Sequence, residues 1–280
     1  MALTACKEGL RLGVSRRALL QSGIAMTAMG LLRGWAFGVD APASPELYVF
    51  RAPNSANTVI GLSIPADRVF SAPTNARIHV GTMTWAADLG NSARTRLPND
   101  SRVRVFTGRG MTGAHLAETV VLELSARELA PAATYDVWAE ISHGNKQRER
   151  VGNPIVTALV QNDQELGRIY HRISPVDDRA VLTPVVTRII AARAKRYSIA
   201  TNPVAYAERL AHAILPDAIR FKPGSPLGFS YAGQNGRHPA EKTAQIVDTL
   251  LGASHTPSVD QQTNVLFDHF PYLISSPKLT

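Results

Sequence analysis

The spacing of the apolar residues changes at Gly152-Asn153-Pro154, and this change limits the possible folds more than any other feature of the sequence. Before it, short segments alternate apolar and polar residues, as strands do when one face packs on a core and the other meets water. After it, apolar residues recur at the three- and four-residue spacing of amphipathic helices. The sequence therefore predicts an α+β fold in which an antiparallel β-sandwich-like half precedes a helical half.

Six segments before the change have the strand pattern, and residues typical of turns separate them. In the clearest segment, 135–142, every second residue from Tyr135 to Ile141 is apolar. A turn-forming stretch, 53–57, connects the first two segments, which predicts a hairpin. The predicted strands are 47–50, 58–62, 77–80, 102–106, 118–124 and 135–142.

Three helices are predicted after the change, each near a proline that suits a first helical turn. Gly252 is the expected C-terminal cap of the third helix, because glycine adopts positive φ freely. Since no low-complexity linker divides the chain, we expect one domain with a β-rich part, 46–160, and a helical part, 161–280. The expected helix starts are Thr183-Pro184, Asn202-Pro203 and Pro239.

A pair of arginines near the N terminus is typical of a twin-arginine export signal. Arg16 and Arg17 precede an apolar run of 15 residues, 18–32, and the small-residue site Ala41-Pro42-Ala43 follows. The run is shorter than the roughly 20 residues that a membrane-spanning helix needs. A removable signal is therefore the better interpretation than a membrane anchor.

The sequence thus predicts a signal peptide over residues 1–43 and a mature domain over 44–280. Cleavage after Ala43 is the expected position, and cleavage after Gly38 is the alternative. We expect the twin-arginine translocase to be a partner during export, and the periplasm to be the destination. The mature chain has no second apolar run long enough to cross a membrane.

Sulfur chemistry is excluded from the predicted mature domain, because the single cysteine, Cys6, lies in the leader. Disulfides, thiolate zinc sites and cysteine-held iron–sulfur clusters all need that atom. The net charge of +8 falls to +5 when the five bases and two acids of the leader are removed. The remaining bases are spread along the chain without a block, so a nucleic-acid partner is not indicated.

Several short motifs, in a fixed order, resemble those of the exported bacterial family known as "domain of unknown function 4331". They are Tyr48-Val49-Phe50-Arg51-Ala52-Pro53, Val137-Trp138-Ala139, Arg150-Val151-Gly152-Asn153-Pro154, Leu215-Pro216-Asp217, Asn235-Gly236-Arg237, Asp248 and Phe270-Pro271-Tyr272. The resemblance covers most of the mature chain. It implies an exported protein that contains β-structure, and it implies no particular reaction.

The chain departs from that family in two places. Relatives begin the mature protein with Ser-Ser-His-Arg-Glu-Ala-Pro, whereas this chain has neither His nor Asp between 41 and 46. Relatives also carry an Asp-Gly-Asp run between early strands, where this chain has the segment 85–91 with a single aspartate. If those acidic groups bind a cation in relatives, this chain has lost that capacity.

Asn235-Gly236-Arg237 is the strongest candidate for a ligand site. An amide and a guanidinium fork could bind a carboxylate or phosphate at the start of the predicted Pro239 helix, where the helix dipole favours an anion. The alternative is structural, with Gly236 at positive φ and Arg237 paired with an aspartate, either Asp248 or Asp217, to anchor the tail. The candidate ligand-binding residues are Asn235, Arg237, Asp248 and Tyr272.

His171, Asp177 and Asp178 are the candidates for a metal site, because carboxylate oxygens and an imidazole can bind a hard cation. The alternative is that the two aspartates lie in a loop or cap the helix expected at Thr183. The chain has no His-Glu-x-x-His and no Gly-x-Ser-x-Gly motif. The stretch 108–113 is interpreted as a flexible turn, because its glycines do not match a dinucleotide-binding loop.

Two functions remain open at the level of sequence. The first is a non-catalytic exported domain that binds a small molecule or a protein of the cell envelope, and it is favoured because no complete catalytic constellation is present. The second is a periplasmic enzyme assisted by a metal held on Asp and His ligands. No motif identifies a cofactor.

Overall fold

Two antiparallel sheets pack against each other in the first half of the chain, and five of the six described helices follow in the second half. This computed structural model confirms the predicted α+β, sandwich-like fold. The described residues belong to one compact unit within 41–280. They are 44–69, 74–89, 94–96, 103–112, 115–144, 147–225, 231, 234–241, 243–252 and 268–273.

The first sheet, sheet A, has the strand order β1-β2-β7-β6. Strand β2 lies between β1 and β7 and is buried along its whole length. The predicted hairpin of the first two strands is confirmed by the antiparallel pairing of β1 with β2. The strands are β1 (Glu46–Arg51), β2 (Thr58–Pro65), β6 (Arg104–Thr112) and β7 (His115–Leu124).

The second sheet, sheet B, has the order β10-β8-β3-β4-β5, and β9 also pairs with β8. All six predicted strands correspond to observed strands of the two sheets, but β4, β5, β9 and β10 were not predicted. The strands of sheet B are β3 (Thr74–Val80), β4 (Met83–Leu89), β5 (Arg94–Arg96), β8 (Tyr135–His143), β9 (Gln147–Val151) and β10 (Ile219–Phe221).

The main core lies between the two sheets. Alternate residues of β1 and β2, such as Leu47 and Ile60, pack with alternate residues of β3 and β8, such as Ile78 and Ile141. The side chains of these four residues are almost completely buried. The period-two pattern of the sequence therefore marks the faces that the sandwich buries.

Apart from the four-residue helix α1, the described helices begin at the predicted change of pattern and extend almost to the C-terminal tail. None of the described helices is both long and apolar enough to cross a membrane. The helices are α1 (Ala66–Val69), α2 (Pro154–Asn162), α3 (Gln164–Tyr170), α4 (Asp178–Arg196), α5 (Pro203–Ile214) and α6 (Thr243–Leu251).

The predicted start of α4 at Thr183 and Pro184 is wrong. The helix begins at Asp178, directly after a 3₁₀ turn that starts at Pro175, so Pro184 lies in its interior. An interior proline removes a backbone hydrogen bond and costs about 3 kcal/mol. The helix continues across it because Asp178 is fixed at its first turn by a buried ion pair with Arg150.

The other two predicted helix starts have different outcomes. Asn202 caps α5 as expected, since its side chain accepts the N–H of Ala205 at 3.0 Å. The predicted start at Pro239 is wrong, because α6 begins at Thr243 and Pro239 lies in a turn. Gly252 follows α6 with a φ of 72°, which confirms the predicted glycine cap.

The interpretation of 108–113 as a flexible turn is wrong for most of its length. Residues 108–112 complete β6 and pair with β7. Gly108 and Gly110 therefore lie in a strand, although the sequence pattern favoured a turn at these positions. Gly113 and the leader, residues 1–43, lie outside the described residues.

The C-terminal tail covers the outer face of sheet A. Tyr272 and Leu273 pack on Tyr48, Phe50 and Val121 in a second apolar cluster, so sheet A is buried on both faces. This contact requires a glycine in the central strand. A Cβ atom at position 61 would lie 2.1 Å from Cδ1 of Leu273.

We expect Gly61→Ala to destabilise the protein by about 1–3 kcal/mol, the usual cost of overpacking a core. The added methyl group would displace Leu273, so the cost should be smaller in a Leu273→Ala background. Urea unfolding of the two single variants and the double variant measures this coupling. An identical cost of Gly61→Ala in both backgrounds would show that the tail does not pack as described.

Candidate functional site

A cavity of about 290 Å³ lies between α2, α5, α6, β10 and the loop around residue 234. Its walls are mostly aliphatic, as is usual for small-molecule sites. The apolar wall residues include Ile155, Leu210, Ile214, Ile219, Ile246 and Leu250.

A few polar side chains interrupt this apolar wall. They belong to Asn153, Arg220, Tyr231, Gln234 and Thr249. No aspartate or glutamate is among the residues that the structure places in the wall. Arg220 is the one residue among them with a charged side chain, and its guanidinium is paired with Asp136.

A buried ionic cluster lies next to this cavity. Arg150 of β9 forms a bidentate pair with Asp178 of α4, with nitrogen–oxygen distances of 3.0 Å and 2.6 Å. The same guanidinium lies 3.7 Å from the carboxylate of Asp217. Both aspartates are completely buried, so one cation compensates two carboxylates away from water.

Asp217 connects the cluster to the cavity wall. Its carboxylate accepts the N–H of Asn153 at 2.6 Å and the hydroxyl of Tyr170, and its own N–H donates to Asp178 at 2.8 Å. The backbone passes so close to Gly152 that a Cβ there would lie 2.4 Å from the carbonyl oxygen of Asp217. Position 152 therefore requires glycine.

Burial raises the pKa of Asp217 to about 6, although Arg150 and the hydrogen bonds from Tyr170 and Asn153 lower it. Burial also raises the pKa of Tyr170, and the negative charge of Asp217 adds to that effect. Burial would lower the pKa of Arg150, but the hydrogen bond to Asp178 and the nearby acids outweigh it. The cluster thus keeps its cation, and Asp217 is a weaker acid than an ordinary aspartate.

One carboxylate, that of Glu241, links two parts of the loop that borders the cavity. Glu241 accepts the N–H of Tyr231 at 2.9 Å and 3.0 Å through its two oxygens, and it also accepts the N–H of His238 at 2.8 Å. The hydroxyl of Tyr231 then donates to the side-chain oxygen of Asn153 at 2.6 Å. These bonds hold the tyrosine ring against the start of α2.

The predicted ligand residues Asn235 and Arg237 belong to the same loop but are not in the cavity wall. The Asn235 side chain accepts the backbone N–H of Lys222 at 2.7 Å. The neighbours of these two residues, Gln234 and Gly236, line the cavity instead. Gly236 has a φ of 80°, as the structural alternative predicted, and the side chains of Asn235 and Arg237 make other contacts.

Arg237 is buried against the first strand. Its guanidinium donates to the carbonyl of Leu47 at 3.1 Å and to the carboxylate of Glu46 at 2.7 Å, and it lies 4.7 Å from the ring of Tyr48. Its backbone forms a bridge with Val49. These contacts correspond to the structural alternative. The described ion pair is formed with Glu46, whereas Asp248 or Asp217 was the expected partner.

The other two predicted ligand residues lie at separate places. Asp248 is buried on α6, where its charge raises the pKa of Arg193 against the stronger lowering effect of burial. Tyr272 packs edge-on against Phe50 and donates its hydroxyl to Glu123 at 3.2 Å. The structure therefore does not bring the four predicted residues together in one site.

The three candidate metal ligands lie in different environments. Asp178 is bound to Arg150, whereas His171 and Asp177 are exposed. Within the described ranges, no three His, Asp or Glu side chains are grouped as a metal site requires.

Sequence reasoning missed Asn153, Arg220 and Tyr231 as parts of a site. Asn153-Pro154 has the signature of a helix cap followed by a first-turn proline, and this signal could have located α2. No local signal marks Arg220 or Tyr231, since their shared cavity depends on tertiary contacts.

The comparisons with known proteins are negative. No protein-family model matches this chain, and a search of curated proteins finds no match. The resemblance to the "domain of unknown function 4331" family therefore stays a prediction.

We expect the buried Asp217 to lower stability as pH rises. Its pKa of about 6 in the folded state exceeds the ordinary value of 3.8, so the folded state binds this proton more tightly. The resulting stabilisation is complete below about pH 4 and is lost as pH rises through about 6. The shift corresponds to about 3 kcal/mol.

Urea unfolding of the wild type and Asp217→Asn between pH 4 and pH 7 measures this effect. The wild type should lose about 2 kcal/mol more than the variant over that interval, because asparagine does not ionise. Asp136→Asn, which removes a half-exposed carboxylate of β8, is the matched control and should follow the wild type. Parallel pH profiles for wild type and Asp217→Asn would contradict the prediction.

Proposed function

We propose that this protein is an exported, non-catalytic binding domain whose ligand is a small, largely apolar molecule held in the cavity between α2, α5, α6 and β10. The observation that supports this most directly is the composition of the cavity wall, in which aliphatic side chains surround a few polar groups. Such a wall favours desolvation and orientation of a ligand. It lacks a paired nucleophile and base among the described residues.

The surroundings of the cavity support binding by a largely preformed site. Asn153 is held by Asp217 and by Tyr231, and Tyr231 is held by Glu241. Side chains fixed in this way lose little conformational entropy when a ligand enters. The rigid polar groups are also buried, where each hydrogen bond to a ligand counts more than it does in water.

Binding to the cavity can be tested with the neutral fluorescent probe N-phenyl-1-naphthylamine. We expect saturable binding to the full chain, and Ala213→Phe should weaken it by about tenfold or more because the ring fills the cavity. Ala192→Phe, at an exposed position of α4, should bind the probe as the wild type does. Equal binding by wild type and Ala213→Phe, or no binding at all, would refute this cavity as the site.

Export through the twin-arginine route is the second part of the proposal, and the Arg16-Arg17 pair supports it. We expect the double substitution Arg16→Lys and Arg17→Lys to leave the full-length precursor in the cytoplasm. Immunoblots of periplasmic and cytoplasmic fractions measure this outcome, with Arg11→Lys as the matched control in the same leader. Mature protein in the periplasm at the wild-type level in the double variant would exclude this route.

A further inference from the structure

The side-chain amide of Asn153 has only one possible orientation. Its oxygen accepts the backbone N–H of Ile155 at 3.0 Å, and a backbone N–H can only donate. The hydroxyl of Tyr231 approaches the same oxygen at 2.6 Å. The amide nitrogen must therefore point the other way and present its two hydrogens.

Those two hydrogens have no acceptor in the part of the chain that the structure describes, although Asn153 is only 8% exposed and lines the cavity. The nitrogen is open to the cavity, since it is not one of the fully buried side-chain atoms without a partner. A ligand that brings an oxygen acceptor to this nitrogen would replace water there. The cavity is thus built with a donor that its own described residues leave unused.

Arg220 supplies a second set of donors at the cavity. Its Nε donates to the carboxylate of Asp136 at 3.0 Å, and among the described residues its two terminal nitrogens have no hydrogen-bond acceptor. Asp136 is not one of the wall residues. The planar fork of an arginine matches the two oxygens of a carboxylate.

Acidic side chains lie behind the cavity wall and are paired there. No described acidic side chain lines the wall itself, and the carboxylates of Asp217 and Asp136 are paired with Arg150 and Arg220. The N terminus of α2, a helix of nine residues, lies at Asn153, and its dipole stabilises negative charge. The rest of the wall is aliphatic and would bury an apolar body.

We propose that the ligand is a small apolar carboxylic acid, bound with its carboxylate on Arg220 and Asn153 and its hydrocarbon part between α5 and α6. This inference rests on the proposed binding function and adds the chemical class of the ligand. A single guanidinium and one amide match a monoanion with two oxygens. A phosphate dianion would need further cationic groups.

Octanoate and octan-1-ol are matched probes, because they share the apolar chain and differ in the carboxylate. Isothermal titration of the full chain should show octanoate binding about ten- to a hundredfold more tightly than octan-1-ol, the range for hydrogen bonds to a charged group. Arg220→Gln should remove most of the preference for octanoate and leave the affinity for the alcohol unchanged. Arg77→Gln, which removes an exposed arginine of β3, should leave both affinities unchanged.

The outcomes separate this inference from the proposed function. Equal affinity for octanoate and octan-1-ol would refute the preference for a carboxylate. If N-phenyl-1-naphthylamine still bound, and Ala213→Phe still weakened that binding, the cavity would remain a binding site. A preference for octyl phosphate over octanoate would overturn the carboxylate preference too. Failure of all these probes to bind would refute the proposed function itself.

Arg220→Lys provides a second variant that keeps the charge and loses the planar fork. We expect octanoate affinity in this variant to lie between those of the wild type and Arg220→Gln. Equal losses of octanoate and octan-1-ol affinity in both variants would indicate a structural role of Arg220 and would overturn the inference. Circular dichroism of each variant verifies that the fold is retained.

Discussion

The short segment 235–237 joins the two sheets at one edge, and the arrangement of the rest of the chain depends on it. Arg237 and Val49 exchange backbone hydrogen bonds of 2.7 Å and 3.0 Å, and the N–H of Gly236 donates to the carbonyl of Arg220 at 2.8 Å. The segment therefore satisfies the edge of sheet A at β1 and the edge of sheet B at β10, where unpaired backbone groups would otherwise be exposed. The same bonds place Gln234 and Gly236 at the cavity.

The buried cluster of one arginine and two aspartates fixes the helical half against sheet B. Asp178 belongs to α4 and Asp217 follows α5, so Arg150 of β9 holds both helices through charge. Removing one partner would leave a buried charge uncompensated, so the cluster disfavours any arrangement that separates these elements. Through Asn153, this arrangement also determines the polar end of the cavity.

Local patterns predicted the fold, but they did not indicate the cavity. The alternation from Tyr135 to Ile141 identified β8 and its buried face. This works because successive side chains of a strand point to opposite faces of the sheet. Pro184 misled the prediction of α4, since the ion pair that carries the helix past it comes from Arg150, 34 positions earlier in the chain. Asn235 and Arg237 could be predicted either to bind a ligand or to anchor the tail, and the structure shows Asn235 bound to Lys222 and Arg237 bound to Glu46.

The sequence by itself determined that a strand-rich part precedes a helical part, the caps at Asn202 and Gly252, and the absence of cysteine beyond Cys6. These features depend on near neighbours or on composition, so a short window of sequence is enough to specify them. Only the tertiary structure decided which polar groups meet at the cavity. Asn153, Arg220 and Tyr231 are separated by up to 78 positions, and their contact is fixed by sheet edges and buried charges that no local window contains.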